Sequence, residues 1–224
     1  MPMIDGFLTV RVFFEKRGRI KYISHLDTMR AFTRALGRSG LPLWHTLGFN
    51  PHLYLTFSLP LSLGCEALCE SFDIRFTEEI PFEEACERLN AVLPPGFKAL
   101  RAAEPVQKPA AITWADYKLR LVFEENAAEA LEAFNKFAAE PVIEVSKKTK
   151  KGDKIIDIAP HAKVLEAKLS GDDAVEVTLR LAAGINLNIN TSLYLGAFYK
   201  QYKTPKICQA VRLHLLDEAL NEFE

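Results

Sequence analysis

Apolar and polar positions alternate from Leu8 to Phe14, with Leu8, Val10, Val12 and Phe14 on one side and Thr9, Arg11 and Phe13 on the other. That two-residue period is the signature of a strand. Ser24 then offers an N-cap with Asp27 three residues on, which predicts an amphipathic helix to about Ser39. Its expected buried stripe is Leu26, Met29, Phe32 and Leu36, and Gly40 closes it. Residues 41–57 read as extended, interrupted by a turn at Gly48-Phe49-Asn50-Pro51. Residues 70–76 alternate again through Phe72, Ile74 and Phe76. Pro81 opens a second helix through Val92, Pro94-Pro95-Gly96 ends it, and Phe97–Ala103 makes a short strand. The order is βαββαβ.

Residues 105–111 form the expected linker, with two prolines and no periodicity. The pattern then repeats. Tyr117, Leu119, Leu121 and Phe123 alternate along a strand, and 125–139 is an Ala/Glu-rich helix. Strands follow at roughly 141–147, 154–158, 163–170 and 174–182, then a helix around 191–202 and a strand around 207–216. The expectation is an α+β protein of tandem ferredoxin-like (βαββαβ) domains with antiparallel sheets. One domain spans residues 1–104, and the other spans 112–224 and carries an extra hairpin. One continuous α+β domain with a large mixed sheet is the alternative.

Charge adds a second pattern. The 224 residues hold 28 Lys+Arg against 29 Asp+Glu, a net charge of −1, so any nucleic-acid contact must come from local patches. Residues 11–38 are rich in Arg and Lys, residues 66–104 are rich in acid, and a second basic cluster comprises Lys147, Lys148, Lys150, Lys151 and Lys154. No apolar run approaches the ~20 residues of a spanning helix, so no membrane role is expected. The N-terminus does not read as a signal peptide, and four cysteines are too few for a disulfide scaffold. A cytoplasmic protein is expected.

Helical spacing puts Arg30, Arg34 and Arg38 on one face at i, i+4, i+8, without the interleaved Glu that salt bridging would use. Arginine's planar fork suits phosphate. Arg19 and Lys21 stand at the helix entry, and Asn50 and His52 lie in the tight turn after Gly48. On the sheet face expected to stay open, Thr9, Arg11 and Phe13 face Ser71, Asp73 and Arg75. This mixture suits either an RNA-stacking surface or an interdomain contact. His25, His45 and His52 lack metal-ligand spacing, the cysteines spell no cluster site, and no nucleotide-binding or nucleophile motif is present. No cofactor or metal is therefore expected.

Four segments, Arg19–Leu36 (RIKYISHLDTMRAFTRAL), Ser39–Leu43 (SGLPL), Gly48–His52 (GFNPH) and Ser58–Gly64 (SLPLSLG), resemble the radical-SAM-linked proteins, a bacterial family built on a domain of unknown function. The resemblance is specific over about residues 7–76 and continues weakly at Val145–Ile158 and Gly184–Asn190. The family's turn usually continues with a second proline and a lysine, where this chain has Leu53 and Tyr54. The resemblance implies a radical SAM protein as partner and no established reaction.

Together these features point to a non-catalytic RNA-binding module that presents tRNA or rRNA to such a partner. Arg19, Lys21, His25, Arg30, Arg34, Arg38, Asn50, His52, Lys147, Lys148, Lys150 and Lys151 are the expected contacts. A protein–protein adaptor without RNA contact, and an RNA-processing enzyme using His25, Asp27 and His52, are the alternatives.

Overall fold

The computed structural model describes residues 6–149 and 152–224. The chain divides into two compact units, Met1–Pro109 with Glu224, and Ala110–Phe223. It is a mixed α+β protein with four α-helices among the described residues and antiparallel strand pairing within each unit.

In the first unit, β1 (Leu8–Lys16) is followed by a 3-10 turn, α1 (His25–Arg38), β2 (Leu55–Phe57), β3 (Cys65–Phe76), α2 (Phe82–Asn90) and β4 (Phe97–Ala103). β1 lies between β4 and β3, and β2 also pairs with β3. The register sets Leu8 opposite Phe76, Val10 opposite Ile74 and Val12 opposite Phe72. Period-2 alternation thereby collects Val10, Val12, Phe14, Phe72, Ile74 and Phe76 on one sheet face. Phe32, Ala35 and Leu36 of α1 and Ala85, Cys86 and Leu89 of α2 pack against these residues in one core. The rings of Phe14, Phe32, Phe57, Phe72 and Phe97 fill its centre, with centroid separations from 4.7 to 6.1 Å.

The second unit contains β5 (Trp114–Val122), α3 (Ala127–Ala138), β6 (Glu144–Thr149), β7 (Gly152–Asp157), β8 (Ala162–Leu169), β9 (Ala174–Ala182), α4 (Thr191–Phe198) and β10 (Ile207–Leu216). Its sheet order is β10-β5-β9-β8, while β6 and β7 form a separate two-stranded hairpin. Phe134 and Phe137 of α3 interlock with Tyr194 and Phe198 of α4. Burial pushes the pKa of the Tyr194 hydroxyl up to about 12.

Three local expectations need correction. Leu26 is 55% exposed, and the buried stripe of α1 is Thr28, Phe32, Ala35 and Leu36. The last helix stops at Phe198, four residues short of the expected end. The sheet face read as open is closed, because Arg11, Phe13, Ser71 and Asp73 are all buried. Arg11 clamps both carboxylate oxygens of Asp73 at 2.7 and 2.9 Å and donates to the carbonyls of Gln107 and Glu224. The Arg101 guanidinium covers Phe13, 3.6 Å from the ring centroid.

Candidate functional site

The sequence HLDTMRAFTRALGR becomes a helix because Ser24 caps it. The Ser24 hydroxyl accepts from the Asp27 amide at 3.1 Å and donates to the Asp27 carboxylate at 2.7 Å. These bonds and Arg30 hold the Asp27 carboxyl below its ordinary range. With Phe32, Ala35 and Leu36 turned into the core, residues 26, 30, 34 and 38 form an outward row at i+4 spacing. Arg30, Arg34 and Arg38 are all exposed.

Their partners differ. Arg30 pairs with Asp27 at 3.1 Å, an exposed i,i+3 contact of the kind that contributes little. Arg38 donates to the Val92 carbonyl at 3.2 Å. Arg34 has no ion pair or hydrogen bond among the described residues, and neither has Arg19 in the preceding 3-10 turn. The acidic stretch 66–104 does not cover this row, since Arg30, Arg34 and Arg38 all stay exposed, while Glu66 takes Lys21 at 3.0 Å and Glu84 takes Arg88. Lys21 is therefore committed within the protein. Tyr22 (68% exposed) and Leu26 extend the row at its entry.

His25 turns away from the arginines. Its ring meets Phe57 edge-on at 5.4 Å and lines a small cavity of about 10 Å³ with Lys16, Thr28 and Glu70. Burial, and secondarily the Lys16 ammonium, lower its pKa. Lys16 is itself buried, donating to the Ile23 carbonyl at 3.1 Å, and burial lowers its pKa against the raising effects of Glu70 and Cys65. Neither Lys16 nor Glu70 stands out by motif. The available signal is parity: Lys16 follows Phe14 by two, and Glu70 precedes Phe72 by two, so each continues an inward-facing series.

His52 bonds only within its own loop. Its Nδ1 lies 3.0 Å from Thr46 Oγ1 and 3.2 Å from the Asn50 carbonyl. Gly48 takes φ +123, and the loop exposes Leu47, Phe49 and Asn50. His25, Asp27 and His52 make no hydrogen bond to one another, so the acid–base constellation is not assembled. Lys147 and Lys148 lie in β6, in register with Lys154 and Asp153 of β7. Lys150 and Lys151 lie outside the described residues. Among the described residues no group of three or more His, Cys, Asp or Glu is placed to hold a metal ion. No described helix is long and apolar enough to cross a membrane.

No curated protein matches the chain. Among solved structures, a chain of "Crystal Structure of a Cbf5-Nop10-Gar1 Complex" is similar at 8% identity and a TM-score of 0.49, over 92% of this chain and 48% of its own. This chain thus spans about half of that neighbour, and so loose a likeness carries no argument about function. A family model described as "Uncharacterized protein conserved in bacteria (DUF2344)" matches residues 9–191. That span runs from β1 through the arginine helix and the Gly48–His52 turn to the start of α4, and the chain belongs to the DUF2344 family.

Proposed function

We propose that the protein is a non-catalytic RNA-binding module of two tandem ferredoxin-like domains, joined through residues 105–111. In each unit the strands and helices run βαββαβ, the second with the β6–β7 hairpin inserted, which supports this description of the fold. The outward row of α1 takes the phosphates of structured RNA, tRNA or rRNA. The observation that carries the reading is an exposed i, i+4, i+8 arginine row in which Arg34 lacks any acidic partner among the described residues, with Arg19 equally free at its entry. Such a row costs helix stability through like-charge repulsion, a cost that an anionic partner offsets. Lys21 is the weakest of the expected contacts, because Glu66 already holds it. The radical SAM partner rests on sequence resemblance alone.

The test is titration of the protein with bulk tRNA at increasing salt. Three neutralised phosphates give a log–log slope of about −3 in duplex regions, so affinity falls about 40-fold between 50 and 200 mM salt. The double variant Arg30→Ala/Arg34→Ala reduces the slope to about −1. Unchanged affinity in that variant removes the assignment. The adaptor reading has its own support in the loop tip, where Leu47 and Phe49 are exposed. Absence of tRNA binding at low salt, with retained binding to a radical SAM protein, favours it.

A further inference from the structure

Arg75 stands on the parity of β3 that faces away from the aromatic core, opposite Thr9 of β1. Its guanidinium is sandwiched between Phe7, 3.8 Å from the ring centroid, and Tyr54 at 3.9 Å, with Trp44 at 5.0 Å. The rings brace one another, Phe7 against Trp44 at 4.9 Å and Trp44 against Tyr54 at 6.3 Å. The Trp44 amide donates to the Arg75 carbonyl at 2.8 Å, so the base of the Gly48–His52 loop is fastened to this strand.

The Arg75 side chain makes no hydrogen bond or ion pair with any described residue. Its Nε is buried and lacks an acceptor, whereas Nη1 and Nη2 are not buried. The faces of the cation are therefore covered, its orientation is fixed, and its two-pronged edge is open. Arg11, on the same sheet face, spends its donors on protein acceptors, Nε and Nη2 on Asp73 and Nη1 on the carbonyls of Gln107 and Glu224. An immobilised fork whose faces are covered and whose Nη1 and Nη2 lack an acceptor is preorganised for an oxyanion.

We infer that Arg75, held in the Phe7–Trp44–Tyr54 box, is a binding site for a phosphate monoester, distinct from the α1 row and independent of the RNA-binding proposal. Nη1 and Nη2 donate to two phosphate oxygens. The flanking rings favour a phosphate carried on a nucleoside over a bare carboxylate, because a base can stack on an aromatic face.

Trp44 supplies the readout. The chain has two tryptophans, so Trp114→Phe leaves Trp44 as the sole indole emitter. This variant is titrated with inorganic phosphate, a nucleoside 5′-monophosphate and acetate, and melting temperatures are recorded in parallel. The expected result is a saturable emission change and a raised melting temperature with phosphate and, more tightly, with the nucleotide. Adding Arg75→Lys, which keeps the charge and loses the fork, weakens both by at least about tenfold. If Arg75→Lys fails to fold, Tyr54→Leu, which opens one side of the box, serves in its place and weakens binding likewise. Absence of saturation by phosphate and nucleotide, equal affinity in the variant, or tighter binding of acetate than of phosphate overturns the assignment.

Discussion

At the residue scale, ionisable groups drawn out of water by the fold have the sharpest consequences. Burial disfavours protonated His25, so the folded protein holds that proton less tightly than the unfolded chain, whose pKa is the ordinary 6.5. As pH falls below about 6.5, the unfolded state takes up protons that the folded state refuses, and stability drops; it is regained as pH rises back through that value. NMR titration is expected to place the His25 midpoint below 6.5. Lys16→Met is expected to move that midpoint upward, because the neighbouring ammonium that depresses it disappears. Arg11→Met leaves Asp73 buried without its partner and costs about 3–5 kcal/mol in urea unfolding. The double change Arg11→Met/Asp73→Leu recovers much of that loss, since no buried charge is then left uncompensated. Parity makes these positions readable as inward or outward, but a lysine on an inward parity does not announce which carbonyl it will reach. Lys16 finds the Ile23 carbonyl only because the 3-10 turn and the start of α1 fold back over the end of β1.

At the element scale, α1 combines a well-made start with a self-repelling outer face. Ser24→Ala removes the cap and costs about 1 kcal/mol, measurable by thermal or chemical unfolding. Arg34→Glu separates the two effects of the arginine row. It sets a carboxylate four residues from both Arg30 and Arg38, which stabilises the helix by about 0.2–0.5 kcal/mol per pair, while sharply weakening tRNA binding. A variant that gains stability and keeps its RNA affinity would contradict the proposed contact. The helix boundaries are close to legible because Ser24 and Gly40 bracket the pattern. Leu26 departs from the expected stripe for a simple reason: it is four residues from Arg30 and so belongs to the outward row, despite being apolar. In the second unit, Gly184 takes φ +142, and a Cβ there would clash with the Ile112 carbonyl oxygen. Gly184→Ala is expected to destabilise by at least about 2 kcal/mol, because neither the backbone angle nor the clash can be relieved by a side chain moving.

At the scale of the whole molecule, the near balance of 28 basic and 29 acidic residues means that no general positive field draws RNA in. Binding through guanidiniums predicts a tRNA affinity that is flat between about pH 7 and 9, because arginine does not titrate there. A steep loss as pH rises from about 5.5 to 7 would instead indicate histidine contacts. Element order is written in the chain itself, since strand and helix periods are local and the breaks at Gly40, Pro81, Pro94-Pro95-Gly96 and Gly171 punctuate them. So are the aromatic core positions of β1 and β3, the arginine row, and the absence of recognisable cofactor motifs. Only the folded chain decided which cations are already partnered. Lys21 meets Glu66 across 45 positions, Arg11 meets Asp73 across 62, and Arg75 is boxed by rings from three separate stretches of sequence. Periodicity reports which way a side chain faces. What waits on that side is set by strand register and loop return, which bring together residues that no local pattern connects.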